Sequence, residues 1–268
     1  MDDDKKKAKL KRNGLNSVTA YLEHVKAFEQ IHIAQWFYRG VRNEAYELVP
    51  SLFRINIKNT FTTWNRLEAY MLQYFKREST PFLDKVPQDD LEWFALAQHY
   101  GLPTRLLDWS TNPLIALFFA VENYNKEEDS AVWCFGFPST NNCNPVSTRI
   151  DRRLTLEEGH YIIFPNHISP RITNQSGCFT AHDLPKEQTP FVPFNQQEDS
   201  LGLFEKIIIK KQHQKDILDE LYDIGIHSGL IYPGLDGLSK RIKYEVSTLH
   251  KRGFNPKQFE RYIDKMDK

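Results

Sequence analysis

The sequence predicts a single α+β domain with mixed or antiparallel central sheets flanked by helices. Helical periodicity dominates the first half of the 268-residue chain, strand patterns cluster in the middle, and neither a repeat nor a clean linker divides it. An apolar fraction of 40% supplies material for a core. We expect the domain to span residues 15–252, between a disordered charged tail at residues 1–14 and a charged C-terminal tail at residues 253–268.

Each element follows from its apolar spacing and from the capping or turn residues at its ends. Residues 65–78 show an i, i+3, i+4 stripe that predicts a helix burying Leu67, Tyr70, Met71, Tyr74 and Phe75. The other predicted helices run from Asn16 or Ser17 to about Gln30, from Asp89 or Asp90 to Gly101, over about 113–123, over 212–222 and after Gly234. The predicted extended segments are 31–38, 105–109, 130–137, 161–164, 177–182, 203–210 and a short apolar run at 226–232.

Charge and composition exclude several functional classes. Lys+Arg and Asp+Glu both number 35, so the chain lacks the general basic field of a protein that binds long nucleic acids, although a local basic pocket remains compatible. No apolar run approaches the roughly 20 residues that span a bilayer, and we do not expect the charged start to act as a secretory signal. Three cysteines without CxxC spacing favour reduced thiols in a cytoplasm over disulfides or a metal site.

Residues 90–123 predict the floor of a functional site. The pattern reads as a helix, a tight turn, a short strand, a polar turn and a second helix, and the turns between the two apolar helices concentrate reactive groups. These groups are His99, Arg105, Asp108, Ser110 and Asn112. Because Arg105 and Asp108 are three apart on an extended run, they point to opposite faces and each needs an outside partner. His99 is either a cation favoured at a helix C-terminus or a ligand contact and general base.

The remaining candidates come from other segments. We place Arg39 at the end of the first strand, where it either pairs with a carboxylate such as Asp108 or grips phosphate or ribose while Gly40 allows close approach. Ser110 or Thr111 is predicted to cap the helix that starts at Pro113, and amides at that end also suit an anion or carboxamide.

Two further segments have both a structural and a functional interpretation. Gln175 precedes a predicted strand and is either part of a simple turn or a polar group aimed into a cleft. Residues 233–237 predict a turn and a helix cap with Asp236 as the hydrogen-bond acceptor.

Four segments together resemble the FRG domain family. They are WFYRG (36–40), AQHYGLPTRLLDWSTNPLIALFFA (97–120), NQSGCFTAH (174–182) and IYPGLDGLSKRIKYE (231–245), so the resemblance covers about residues 30–245. The family is named for a Phe/Tyr-Arg-Gly element, here Tyr38-Arg39-Gly40. The resemblance implies a bacterial or phage-associated protein and, as in several family members, a defence or toxin-like context.

The order of elements also resembles that of ADP-ribosyltransferases. Those enzymes carry a first-strand Arg or His followed by Gly, a Ser-Thr pair before a helix, and a Glu or Gln opening a later strand. Arg39-Gly40, Ser110-Thr111 and Gln175 match these positions. A Gln supplies no charge to a developing oxocarbenium ion, so this departure implies either no turnover or help from His99 or Asp108.

The resemblance implies NAD or a related nucleotide as ligand and possible substrate. Arg39, His99, Asp108 and Gln175 would be the catalytic groups, and no metal is expected. The substrate-binding groups would be Gly40, Arg105, Ser110, Thr111 and Asn112. The reaction would transfer ADP-ribose to a protein or nucleic acid, or cleave the glycosidic bond of NAD. Two alternatives remain open, namely a nuclease or RNA-processing enzyme and a non-catalytic nucleotide-sensing module.

Overall fold

The structure is a computed structural model that describes residues 15–29, 35–57, 61–124, 127–137, 161–164, 174–187, 189–197, 203–249 and 260. Four predictions lie wholly or partly outside these residues: the N-terminal tail, residues 31–34 of the first predicted strand, the surroundings of Cys143, and the C-terminal tail apart from Glu260.

One six-stranded sheet organises the described residues. All of its neighbouring strand pairs are antiparallel, and the strand order is β4-β5-β2-β1-β3-β6. The strands are β1 (Gln35–Val41), β2 (Leu106–Ser110), β3 (Ser130–Phe137), β4 (Tyr161–Ile163), β5 (Gly177–Ala181) and β6 (Leu203–Ile209). Helices flank this sheet, so the α+β prediction is confirmed.

The helices lie close to the positions that the sequence predicts. They are α1 (Val18–Glu29), α2 (Trp64–Ser79), α3 (Asp90–His99), α4 (Pro113–Val121), α5 (Lys211–Asp223), α6 (Ser228–Ile231) and α7 (Leu235–Thr248). Asp89 caps α3 by accepting a hydrogen bond from the Glu92 amide at 2.8 Å. The apolar run at 226–232 forms the short helix α6 rather than an extended segment. Gly234, not Asp236, is the N-cap of α7, and Asp236 lies in the first turn.

Two sequence predictions need correction. Strand β1 does not end before Arg39 but continues through Arg39 and Gly40 to Val41, because its register with β3 persists to the pair Val41–Ala131. Helix α2 does not bury Tyr70 and Tyr74, which are exposed. The buried side of α2 instead carries a carboxylate together with apolar residues, namely Trp64, Leu67, Glu68 and Leu72.

Alternation along the strands divides the core between the two faces of the sheet. Trp36 and Tyr38 pack with α1, α4 and α5, whereas Phe37 and Val41 join a cluster on the opposite face. Helices α2 and α3 pack against β2 and β5 in a third cluster, through Leu72, Phe94 and Phe179 among others.

The sheet opens between its two central strands. β1 and β3 are in register over all residues of β1, but β1 and β2 share the single pair Tyr38–Ser110. Beyond that pair, Arg39 to Val41 on β1 and Asp108 and Trp109 on β2 diverge. The opening leaves a space that side chains and helices must line.

The described residues include no helix that is long and apolar enough to cross a membrane. Cys134 and Cys178 are buried free thiols, and burial raises the pKa of each.

His227 caps α6 through its ring and makes this region sensitive to acid. Its Nδ1 accepts a hydrogen bond from the Leu230 amide at 3.1 Å, and burial, followed by the charge of Arg241, lowers the pKa of His227. A depressed folded-state pKa means that the unfolded chain binds more protons, so stability present above about pH 6.5 is lost as pH falls below it.

We therefore predict that His227→Asn, which keeps a capping oxygen but does not titrate, shrinks the loss of stability between pH 7.5 and pH 5.5. Urea unfolding at both pH values measures this loss. An equal loss in the wild type and in His227→Asn would contradict the prediction.

Candidate functional site

A cavity of about 470 Å³ lies where β1 and β2 separate. Helix α3 contributes Ala95, Gln98 and His99, and α4 and the residues after it contribute Phe119, Glu122 and Asn123. The strands contribute Tyr38–Arg42, Asp108–Ser110 and Gly177–Phe179, and neighbouring segments add Tyr46, Glu47, Arg54 and Gln175. The segment at residues 90–123 thus supplies two walls and part of the floor.

Six of the nine predicted site residues line this cavity. They are Arg39, Gly40, His99, Asp108, Ser110 and Gln175, whereas Arg105, Thr111 and Asn112 do not. Arg39, Ser110 and Gln175, the three positions of the ADP-ribosyltransferase resemblance, therefore share one cavity.

Arg39 spans the opening between the two strands. Its Nη1 donates to the main-chain oxygen of Asp108 at 2.7 Å and lies 3.3 Å from the carboxylate Oδ2. The Arg39 side chain is 19% exposed and that of Asp108 is 59% exposed, so the carboxylate remains accessible to a ligand. Arg39 Nε and Nη2 make no hydrogen bond within the described residues and can donate to a ligand.

Arg54 is a cavity residue that the sequence prediction missed. It follows the buried pair Leu52-Phe53, and its Nε and Nη2 donate to the Val49 oxygen at 3.0 and 2.6 Å. The residue as a whole is solvent-accessible, yet partial burial of the guanidinium, and then the Arg39 charge, lowers the pKa of Arg54. Two guanidinium groups that repel each other form a place where an added anion is favoured, and the cavity lining also carries the carboxylates of Glu47, Asp108 and Glu122.

Ser110 and Gln175 join β2 to the entrance of β5. The Ser110 hydroxyl donates to the Gln175 main-chain oxygen at 2.7 Å and accepts from the Asn112 amide at 3.1 Å. The Gln175 side-chain amide donates to the Ile231 oxygen at 3.2 Å. Its Oε1 accepts no hydrogen bond from the described part of the chain. Ser110 therefore positions the turn, and Gln175 offers an acceptor to the cavity.

The amides at the start of α4 are already occupied. Thr111 donates its amide to the Ser176 oxygen at 3.0 Å, and the Leu114 amide donates to Asn112 Oδ1 at 2.9 Å. The N-cap is Asn112 and not Ser110 or Thr111. Because these donors have internal acceptors, the anion site expected at this helix end is not open.

Asn112→Ala should lower the free energy of unfolding by about 1 kcal/mol, because it removes the side-chain acceptor at the α4 N-terminus. Thermal or urea unfolding measures the loss, and Asn112→Asp, which keeps a capping oxygen, is the control. Equal destabilisation by both substitutions would show that the cap does not contribute.

Contacts inside the protein explain why a glycine stands at position 40 and an arginine at position 105. A Cβ at Gly40 would lie 2.0 Å from the Ala116 oxygen, so the close approach that this glycine permits is that of helix α4. Arg105 is buried and donates from Nε to both carboxylate oxygens of Glu68, at 2.8 and 2.9 Å. As expected from their spacing, Arg105 and Asp108 do not pair with each other.

His99 and Gln98 line the α3 wall. His99 is partly buried at the last position of the helix and packs edge-on against Tyr100, with ring centroids 4.9 Å apart. The Gln98 side chain accepts a hydrogen bond from Thr104, which fixes the turn before β2. Among the described residues there is no group of three or more His, Cys, Asp and Glu side chains able to hold a metal ion.

Comparison with known families identifies one domain. Residues 34–129 match the model of the FRG domain, which confirms the resemblance over this range. Tyr38-Arg39-Gly40 and the block at 97–120 fall inside the match, whereas residues 174–182 and 231–245 fall outside it. No curated protein and no solved structure matches the chain.

Proposed function

Starting from the FRG domain at residues 34–129, we propose that the cavity binds NAD or a related nucleotide. The protein would act as an ADP-ribosyltransferase-like effector in bacterial or phage-associated defence or toxin systems. The observation that carries this proposal is the convergence of Arg39, Arg54, Asp108 and Gln175 on one cavity of about 470 Å³. That volume lies within the usual range of small-molecule sites.

The arginine pair is the proposed contact for the phosphate groups. Guanidinium groups bind phosphate oxygens through charge-assisted hydrogen bonds, and Arg39 retains Nε and Nη2 for this purpose. A bound pyrophosphate would also relieve the repulsion that lowers the pKa of Arg54.

Asp108 and Gln175 are the proposed contacts for the nicotinamide-bearing ribose. When the bond from ribose C1′ to the nicotinamide nitrogen breaks, the base leaves with the electron pair and the sugar gains positive charge. The exposed Asp108 carboxylate would stabilise that charge, and Gln175 Oε1 would accept a hydrogen bond from a ribose hydroxyl. Water or a target nucleophile then attacks C1′ and gives up its proton.

Of the two alternatives, only the non-catalytic sensor has an observation in its favour. Gln175 carries no charge and Ser110 already uses its hydroxyl inside the protein, both of which suit binding without turnover. The nuclease alternative would place His99, Arg39, Arg105 and Asp108 around a scissile phosphate, but Arg105 is buried against Glu68.

The test is nicotinamide release from NAD by the wild type, Arg39→Gln, Asp108→Asn and the control Arg66→Gln, an exposed arginine outside the cavity. We expect release by the wild type and by Arg66→Gln. Asp108→Asn should lower kcat by about 10²-fold, and Arg39→Gln should raise KM.

Each other outcome has a defined meaning. NAD binding without release would favour the sensor, and cleavage of added RNA would favour the nuclease. Neither binding nor release by a folded wild type would overturn the proposal.

A further inference from the structure

Helix α7 carries an apolar stripe that no described residue covers. Leu235, Leu238, Ile242 and Val246 are between 45% and 82% exposed, and Leu249 follows at the end of the helix. Contiguous exposed apolar surface of this kind marks an interaction site.

The opposite side of α7 holds the helix to the protein. Tyr244 stacks on Tyr222, with ring centroids 4.1 Å apart, and its hydroxyl donates to Asp219 at 2.6 Å. Gly237 allows close contact with α6, because a Cβ there would lie 1.8 Å from the Tyr232 oxygen. The stripe is therefore presented outward by a helix that contacts the protein through its opposite side.

The stripe has the same residue intervals when it is read from either end of the helix. The intervals between Leu235, Leu238, Ile242, Val246 and Leu249 are three, four, four and three residues. A two-fold axis at Ile242 would place Leu238 against Val246 and Leu235 against Leu249 of the second copy. Such self-complementarity is the requirement of a two-fold symmetric interface. We propose that the protein forms a dimer in which two α7 helices pack antiparallel and cross at Ile242.

One rim of the stripe places opposite charges of the two copies near each other. Arg241 and Glu245 lie on the same side of the stripe and pair with each other at 2.8 Å. With 100° and about 1.5 Å per residue, reversal about Ile242 brings Glu245 beside Arg241 of the second copy. Along the rim the order is then Glu245, Arg241, Arg241 and Glu245, so each arginine lies between the carboxylate and the arginine of the second copy.

A shallow hollow of about 570 Å³ extends the apolar surface at the N-terminal end of the stripe. It is lined by Leu235, Leu238 and Arg241 from α7 and by His227, Gly229 and Leu230 from α6 and the residue before it, among others. The proposed symmetry brings Val246 and Leu249 of the second copy over this hollow, at both ends of the interface.

Cysteine cross-linking tests the symmetry in the full chain, with Cys143→Ser as background because Cys134 and Cys178 are buried. Ile242→Cys should form a disulfide-linked dimer under mild oxidation. Leu235→Cys should not link to itself, because two copies of residue 235 would lie about 21 Å apart along the helices. A mixture of Leu235→Cys and Leu249→Cys should link.

Light scattering supplies the second readout. The wild type should have the mass of a dimer, Ile242→Glu that of a monomer, and Val192→Glu, an exposed apolar residue elsewhere, that of a dimer. A monomeric wild type at about 100 µM, as expected if residues after Leu249 cover the stripe, would overturn the proposal. So would linkage of Leu235→Cys to itself as fast as that of Ile242→Cys.

Discussion

Glu68→Ala is expected to lower the free energy of unfolding by about 3–5 kcal/mol. Glu68 and Arg105 are both buried, and the arginine donates to both carboxylate oxygens of Glu68. Removal of the carboxylate leaves a guanidinium that stays charged and has lost both its partner and its hydration. The loss should appear as a lower urea midpoint.

Two further variants distinguish the cost of an unpaired buried charge from the cost of losing an ion pair as such. Glu78→Ala breaks the exposed pair with Arg77 and should change stability by less than about 1 kcal/mol. The double variant Glu68→Leu with Arg105→Met replaces the buried pair with apolar groups and should recover most of the lost stability. Equal effects of Glu68→Ala and Glu78→Ala would contradict the assignment.

Gly40→Ala is expected to cost about 3 kcal/mol, the upper end of the usual range for overpacking. The added methyl group would meet the Ala116 oxygen at 2.0 Å and the Ala120 amide nitrogen at 2.6 Å, and neither main-chain atom can rotate away. Helix α4 must then move off β1. Because Phe119 and Glu122 form one cavity wall, this shift of α4 should also weaken ligand binding.

Gly229→Ala is the matched control for Gly40→Ala. Its Cβ would meet the flexible Arg241 side chain at 3.1 Å, so stability should stay within about 0.5 kcal/mol of the wild type. Thermal unfolding of both variants measures the difference. A Gly40→Ala protein as stable as Gly229→Ala would show that α4 does not need the glycine.

Apolar periodicity located most of the elements, but in α2 it assigned two exposed tyrosines to the buried side and did not indicate a buried carboxylate there. Tyr70 and Tyr74 are exposed although Leu67 of the same stripe is buried, and the buried side also carries Glu68. A single sequence treats a glutamate as a surface residue. Its burial depends on Arg105, which lies 37 positions away, and no local pattern reports that pairing.

The sequence predicted some of the residues that line the cavity and missed others. Arg39, Asp108 and Gln175 line the same space although they come from three different strands or their entrances. Arg54 was missed because it ends a 3-10 helix of only four residues, Ser51–Arg54, which no apolar periodicity indicates, and only the three-dimensional fold brings it near Arg39. Ser110, Thr111 and Asn112 were correctly grouped as a polar turn, but their hydrogen bonds hold the turn itself.

The central claim is that the arginine pair binds the phosphates of a nucleotide. Calorimetric titration of ADP and of adenosine into the wild type, Arg39→Gln and Arg54→Gln tests it most directly. The wild type should bind ADP far more tightly than adenosine, and each folded variant should lose about 1.5–3 kcal/mol of ADP affinity. Equal affinity for ADP and adenosine, or undiminished ADP binding by both variants, would contradict the claim.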